Sequence, residues 1–254
     1  MQVDGQNAFV TGGGSGLGEA TARLLAERGA KVTIADFDAE RGEKVAAEIG
    51  GLFSKVDISD EAQVEAAVDR SVAHFGSAPR IVVNCAGIGV AARIVGREGK
   101  LSTGLFNKVI SVNLIGSYNV MSYAARAMMD LDLTESGERG VIINTSSAAY
   151  QDGQVGQSAY SASKGAISAM CLPAAREFAR SAIRVMAIAP GLFNTPMMKG
   201  LPDETVTEIV KNIPFPARLG MPQEYALMVA QIAENPYLNG TTIRLDGATR
   251  LPPR

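Results

Sequence analysis

The 254-residue chain holds one histidine, two cysteines and no apolar run near the roughly 18 residues that a membrane-spanning helix needs. One histidine excludes a His-based triad or a histidine metal centre. His74 falls near the end of a helical stretch, where an imidazole suits the helix dipole. No other cluster of ligating side chains is present, so no metal is expected. Cys85 and Cys171 sit in apolar surroundings without paired spacing, which predicts reduced thiols in a reducing compartment. Charge of one sign is also missing: 24 Lys and Arg against 26 Asp and Glu leave a formal net charge of −2. That balance offers no electrostatic reason to expect nucleic acid or a membrane surface. The chain enters a predicted strand by Asn7 with no basic lead and apolar core before it, so no signal peptide and a cytoplasmic location are expected. Low-complexity linkers and internal repeats are absent too. What remains is ordinary globular material, 46% hydrophobic and 20% charged, read as one domain over residues 1–254.

Strands and helices alternate along it. Asn7–Thr11 is an apolar strand, Gly12-Gly-Gly-Ser-Gly-Leu-Gly18 a glycine-rich turn, and Glu19–Arg28 a helix. In that order, backbone N–H groups and a helix N-terminus present positive potential to a pyrophosphate, and Gly12, Gly16 and Gly18 let it approach the backbone. Asp36 ends the second strand, Lys31–Ala35, about 20 residues on, where a carboxylate binds the two hydroxyls of an adenosine ribose. Its charge would repel a 2′-phosphate and no basic residue follows directly, so NAD is expected over NADP. Asp57, after the strand Leu52–Val56, would accept from an adenine amine or cap the next helix, with Asp60 the stronger N-cap. Cys85, Ala86 and Gly87 follow the strand Arg80–Val83 and bring backbone against a flat ligand. Arg93, Arg97 and Lys100 occupy an irregular loop, solvated or set to meet a phosphorylated substrate. A long helical region, Thr103 to Asp130, carries Asn113 on an apolar face, as a satisfied packing amide or a bridge through water to Lys164.

The chemistry is expected around Tyr160-Ser-Ala-Ser-Lys164. Residues four apart on a helix share a face, so phenol and ammonium point into the same space. Bringing a phenol from a pKa of about 10 to about 7 requires about 4 kcal/mol. One cation at about 4 Å, at an effective dielectric near 20, supplies that much. Ser147, after the strand Val141–Thr145, lies 13 residues before Tyr160 and would bind the same substrate oxygen. Pro190 and Gly191 end the sixth strand, Ile183–Ala189, in a turn suited to the nicotinamide end. Residues 194–216 form an expected lid, where Met197, Met198, Leu201 and Phe215 would cover an apolar substrate or face the core. A helix from Pro222 and a seventh strand, Gly240–Leu245, complete a single doubly wound Rossmann domain of the α/β class, with a seven-stranded parallel sheet, helices on both faces, right-handed crossovers, and its ligand at the C-terminal strand ends.

Taken in order, Thr11-Gly12-x-x-x-Gly16-x-Gly18, Asp57, Asn84-Cys-Ala-Gly87, Asn113, Ser147, Tyr160-x-x-x-Lys164 and Pro190-Gly191 resemble the short-chain dehydrogenases/reductases over essentially the whole chain. The resemblance implies an Asn113–Ser147–Tyr160–Lys164 catalytic group and a homotetramer. It assigns Ser15, Leu17 and Asp36 to the adenosine side, Asp57 and Ile58 to the adenine, and Phe193 and Thr195 to the nicotinamide carboxamide. Lys164 would also hold the ribose hydroxyls, with Asn113 holding a water in the proton path. Further segments, among them Gly153-Gln-Val-Gly-Gln157, Ile188-Ala-Pro-Gly-Leu-Phe193 and Arg244-Leu-Asp-Gly-Ala248, are similar to the 3-hydroxyacyl-CoA dehydrogenase branch of that family. That likeness implies NAD-dependent oxidation of short or branched 3-hydroxyacyl-CoA substrates in fatty-acid and branched-chain amino-acid catabolism, with Gln154 and Gln157 on the substrate or, as loop amides, bracing their turn. The departures from the branch are Ser146, where a small apolar residue is expected, the loop Arg93–Thr103 and the segment Asp130–Glu138. Two other functions fit the same residues: an NAD-dependent alcohol or hydroxysteroid dehydrogenase, and a dinucleotide-binding scaffold within a complex.

Overall fold

The computed structural model describes residues 1–199 and 203–253. The element types expected from the sequence are present. Strands β1 (Asn7–Thr11), β2 (Lys31–Asp36), β3 (Leu52–Lys55), β4 (Ile81–Asn84), β5 (Gly140–Thr145), β6 (Ile183–Pro190) and β7 (Thr242–Leu245) form one sheet in the order β3-β2-β1-β4-β5-β6-β7. Every pairing is parallel. The helices between them are α1 (Gly16–Glu27), α2 (Ala39–Ile49), α3 (Glu61–Phe75), α4 (Thr103–Ile110), α5 (Gly116–Met128), α6 (Ser158–Phe178), α7 (Pro196–Lys199), α8 (Asp203–Val210) and α9 (Pro222–Glu234).

Side chains on a strand alternate between the two faces of the sheet, and here each face carries its own core. In β4, Ile81 and Val83 pack with Leu25 of α1, Val45 of α2 and Val229 of α9. Val82 between them packs on the other face with Val68 of α3, Val120 of α5 and Ala175 of α6. Burial on both sides is why these strands read as continuous apolar runs.

Two of the differences from the sequence reading have definite reasons. Helix α1 begins at Gly16 rather than Glu19, because the last glycines of the turn already form its first turn. The region 103–130 is not one uniform helix: a π-helical turn, Ser111–Ile115, joins α4 to α5 and contains Asn113. Such wide turns are common at functional sites.

Parallel pairing puts the C-terminal ends of the central strands at one edge. There the sheet changes from apolar to polar in register, Thr11 opposite Asn84 and Asn84 opposite Asn144. The order reverses direction between β1 and β4. A crevice at such a switch point is where open α/β sheets take their ligands.

Candidate active site

The glycine-rich turn is built for close approach. Gly12 has φ +64°, and a Cβ on it would lie 2.8 Å from the Ala86 backbone nitrogen. A Cβ on Gly18 would fall 2.2 Å from the Gly12 carbonyl oxygen, so α1 is pressed against the turn. Ser15 precedes α1 in extended conformation, and its side chain does not cap the helix. The first N–H groups of α1 are therefore left without a side-chain cap, and a helix N-terminus of this kind can bind phosphate. Leu17 is half-buried against the core shared by α1 and α9. The Asp36 carboxylate accepts from Gly14 N at 2.8 Å and from Asp38 N at 2.9 Å, which holds it beside the turn.

Asp57 and Asp60 divide the roles left open by the sequence. Asp60 caps α3 by accepting from Gln63 N. Asp57 accepts from the backbone and hydroxyl of Ser59, at 2.9 and 2.7 Å, both through Oδ1. Ile58 is buried where α5 begins, and a Cβ on Gly116 would lie 2.6 Å from it. These residues fit a dinucleotide: a glycine cradle without room for side chains, a helix N-terminus for phosphates, and a carboxylate for an unphosphorylated ribose.

Ser147, Tyr160, Lys164 and Asn113 lie together beyond that turn. Ser147 accepts from Ala149 N at 3.2 Å and stands close enough to the Tyr160 hydroxyl to pull its pKa down. The Asn113 side chain accepts from Ile88 N at 2.8 Å and donates to Ile88 O and Ser163 Oγ. With these partners it is a satisfied amide. A Cβ on Gly87 would lie 3.1 Å from Asn113 Oδ1 and 3.6 Å from Lys164 Nζ, so the chain passes close to both side chains here.

The relation of Lys164 to Tyr160 differs from expectation. Lys164 is buried and donates from Nζ to the Thr145 carbonyl at 2.7 Å. Its ammonium stands 5.8 Å from the Tyr160 ring centroid. Burial raises the Tyr160 pKa above its ordinary value, with Ser147 opposing it. Burial also pushes Lys164 down to about 8, with Cys85 pulling the other way. Four-residue spacing brings the groups onto one face, but the long lysine stem carries its charge past the ring to the end of β5. Thr145 was not singled out by the sequence. A backbone carbonyl leaves no signature there, whereas Ser146, noted as a departure, donates to the Lys164 carbonyl at 2.8 Å and secures the helix turn below the ammonium.

The remaining candidates form two walls. Gly191 donates its N–H to Leu245 O at 2.9 Å, and a Cβ on it would meet Asp246 at 2.7 Å, so the turn after Pro190 lies against β7. Phe193 is buried and bridges to Gly220, and Thr195 lies over Gly16, 3.6 Å from where its Cβ would stand. Of the expected lid, Leu201 lies outside the described residues, Met198 is half-buried, and Phe215 is 83% exposed. On the other wall, Gln154 and Gln157 bind each other, and Gln154 Nε2 donates to Pro252 O at 3.0 Å. Both amides brace their loop against the C-terminal segment. Arg93, Arg97 and Lys100 are exposed. A cavity of about 160 Å³ lined by Val90, Ile94, Leu101, Leu105 and Phe106 opens beside Ser158 and Ala159, just before Tyr160.

Residues 6–205 match the family model described as short chain dehydrogenase. The chain is 46% identical over 250 residues to a 3-hydroxyacyl-CoA dehydrogenase type-2 of Drosophila melanogaster, covering 97% of this chain and 98% of that protein. Among solved structures, a 3-hydroxyacyl-CoA dehydrogenase type-2 from Mycobacterium avium superposes with a TM-score of 0.92 at 40% identity, over 98% of this chain and 97% of that one. A 3-ketoacyl-(acyl-carrier-protein) reductase from Brucella melitensis complexed with NADH gives a TM-score of 0.86 at 29% identity, over 98% of this chain and 100% of that one.

Proposed function

This chain belongs to the short-chain dehydrogenase family, and from that membership we propose an NAD-dependent 3-hydroxyacyl-CoA dehydrogenase that converts a short or branched 3-hydroxyacyl-CoA to its ketone and runs the reverse reduction. One observation carries the reading: Ser147 and Tyr160 stand together beside the buried Lys164, past a glycine cradle that holds Asp36. The acyl-CoA class is supported by the names of the relatives that match nearly end to end.

Gly12, Ser15, Gly16 and Leu17 would hold the pyrophosphate and Asp36 the adenosine ribose. Asp57, Ile58, Cys85, Ala86 and Gly87 would line the adenine-to-ribose side, and Pro190, Gly191, Phe193 and Thr195 the nicotinamide side. NAD, when bound, supplies the hydride acceptor and a positive ring whose charge favours the phenolate. Ser147 orients the substrate's C3 oxygen. Tyr160 takes the proton from that oxygen in oxidation and returns it in reduction. Lys164, whose pKa burial lowers to about 8, is still mostly protonated at pH 7 and supplies the charge that offsets the phenolate. The apolar cavity before Tyr160 is assigned to the acyl chain, and Arg93, Arg97 and Lys100 to the phosphates of the CoA. Exposed Ile115 and Tyr118 at the start of α5 and Leu227 on α9 are apolar surface that a homotetramer would cover. The free thiols of Cys85 and Cys171 suit a cytoplasmic, catabolic enzyme.

Purified protein offered acyl-CoAs of several lengths with NAD or NADP tests this. Oxidation of 3-hydroxybutyryl-CoA with NAD is expected, and Tyr160→Phe should lower kcat by about 10²- to 10⁴-fold. Oxidation of simple alcohols or steroids without that thioester would sink the substrate assignment. Function kept intact by Tyr160→Phe would favour a scaffold instead.

A further inference from the structure

A polar group that the proposed reaction does not use lies behind Lys164. Tyr225 of α9 is fully buried, in the apolar core with Val83, Ile143 and Met186. A phenol in such a place needs a partner. Its hydroxyl lies 2.7 Å from Thr145 Oγ1 and 3.7 Å from Cys85 Sγ, and Thr145 Oγ1 is 3.7 Å from the same sulfur. Three polar side chains, from α9, the end of β5 and the residue after β4, thus close on one another.

Thr145 belongs to this group and to the active site at once. Beyond β4 the N–H groups of Cys85 and Ala86 turn away to Thr11, at 3.3 Å to its carbonyl and 3.1 Å to its hydroxyl. They do not extend the ladder to β5, and the Thr145 carbonyl is taken by Lys164 Nζ at 2.7 Å. Phenylalanine at position 225 would fill the same space without burying a hydroxyl; what the hydroxyl adds is a hold on Thr145. We infer that Tyr225 is a positioning residue for Lys164: through Thr145 it fixes the carbonyl on which the ammonium rests, and through Cys85 it anchors the loop that carries Gly87 past it. The inference rests on the reading of Lys164 as part of the reacting group.

The titratable groups around the ammonium are Tyr160 on its own helix, Cys85 after β4 and, behind Thr145, Tyr225 itself. Loosening Thr145 weakens the carbonyl acceptor that favours the charged amine, so the pKa of Lys164 should fall. The test is a pH titration of the Lys164 side chain by NMR, on ligand-free protein labelled at the lysine ε-carbon. Tyr225→Phe is expected to lower the midpoint by about half a pH unit or more. Thr145→Val, which removes the hydroxyl from the other side, should do the same, and Thr145→Ser, which keeps it, should titrate as the parent. The double variant Tyr225→Phe/Thr145→Val should go no lower than either single change. Unchanged midpoints in both single variants, or shifts that add in the double, would overturn the inference. If Tyr225→Phe does not fold, the two Thr145 variants decide the matter. No substrate enters this measurement, so its outcome stands apart from that of the acyl-CoA panel.

Discussion

Glu138 lies far from the crevice and offers a sharp test of how the sheet is held. Its carboxylate accepts from Arg184 Nε and from the Met1 ammonium, each at 2.6 Å, and from Ser136 Oγ at 2.9 Å. Both side chains of the Glu138–Arg184 pair are buried. Arg184 also donates to the carbonyls of Ile232 and Leu238 at 2.9 Å and of Ala233 at 3.0 Å. Glu138→Gln keeps the shape and removes the charge, leaving a guanidinium in the interior without its counterion. Removing one partner of a buried pair costs about 3–5 kcal/mol. The three carbonyls that stay on Arg184 put this case near the lower end, about 3 kcal/mol. For a chain of this length each kcal/mol moves Tm by about 2–4 °C, so a fall of about 6–12 °C is expected at pH 7. The acid limb gives a second reading. Burial pushes the Glu138 carboxyl up, but Arg184 and the Met1 ammonium outweigh it and leave the pKa below the ordinary 4.5. A carboxylate with a depressed folded pKa adds stability above its unfolded pKa and loses it as pH falls through the folded one. The parent should therefore lose Tm more steeply than the variant below about pH 4.5. Thermal melts followed by circular dichroism from pH 3 to 7 measure both. A variant within about 2 °C of the parent at pH 7, or acid limbs that run parallel, would refute the reasoning.

Asp36→Ser removes the charged acceptor proposed for the adenosine ribose and the partner of Gly14 N. At about 1.5–3 kcal/mol for a charged hydrogen bond, the Kd for NAD measured by calorimetry should rise about 10- to 100-fold, with NADP gaining relative to it; an unchanged ratio would refute the assignment. Gly12→Ala must hold φ near +64° and place a methyl 2.8 Å from the Ala86 nitrogen. The left-handed conformation alone costs about 1–2 kcal/mol, so both a lower Tm and lost NADH fluorescence enhancement are expected, and a variant that binds NADH normally would show that the two loops are not in contact.

The fold was largely readable because its strands are buried on both faces and its punctuation is local. Asp60 before Glu61, and Gly50 and Gly76 in left-handed conformation after their helices, each act within a few residues of themselves. Boundaries moved where a neighbouring segment decides them. The π turn at Asn113 has no pattern in the chain, since it depends on the amide meeting Ile88 and Ser163 across two other elements. Gln154 and Gln157 look like ligand amides in sequence, and only the arrival of Pro252 explains what they hold.

The site divides along the same line. Glycines, an acid after a strand and a tyrosine four before a lysine are recognised because the chemistry needs those side chains at those spacings. Where the lysine's charge comes to rest is another kind of fact: it is set by a carbonyl of Thr145, and any residue type would supply a carbonyl. The side chain that steadies that carbonyl stands 80 residues further along the chain, inside a helix whose spacing marks Tyr225 as one more core residue. Periodicity reports which residues are buried, not which buried residue carries a hydroxyl that must be paired. A phenol with no exposed surface and a partner at the end of β5 is therefore invisible until the strand and the helix are seen together, although the local charge balance at Lys164 depends on it.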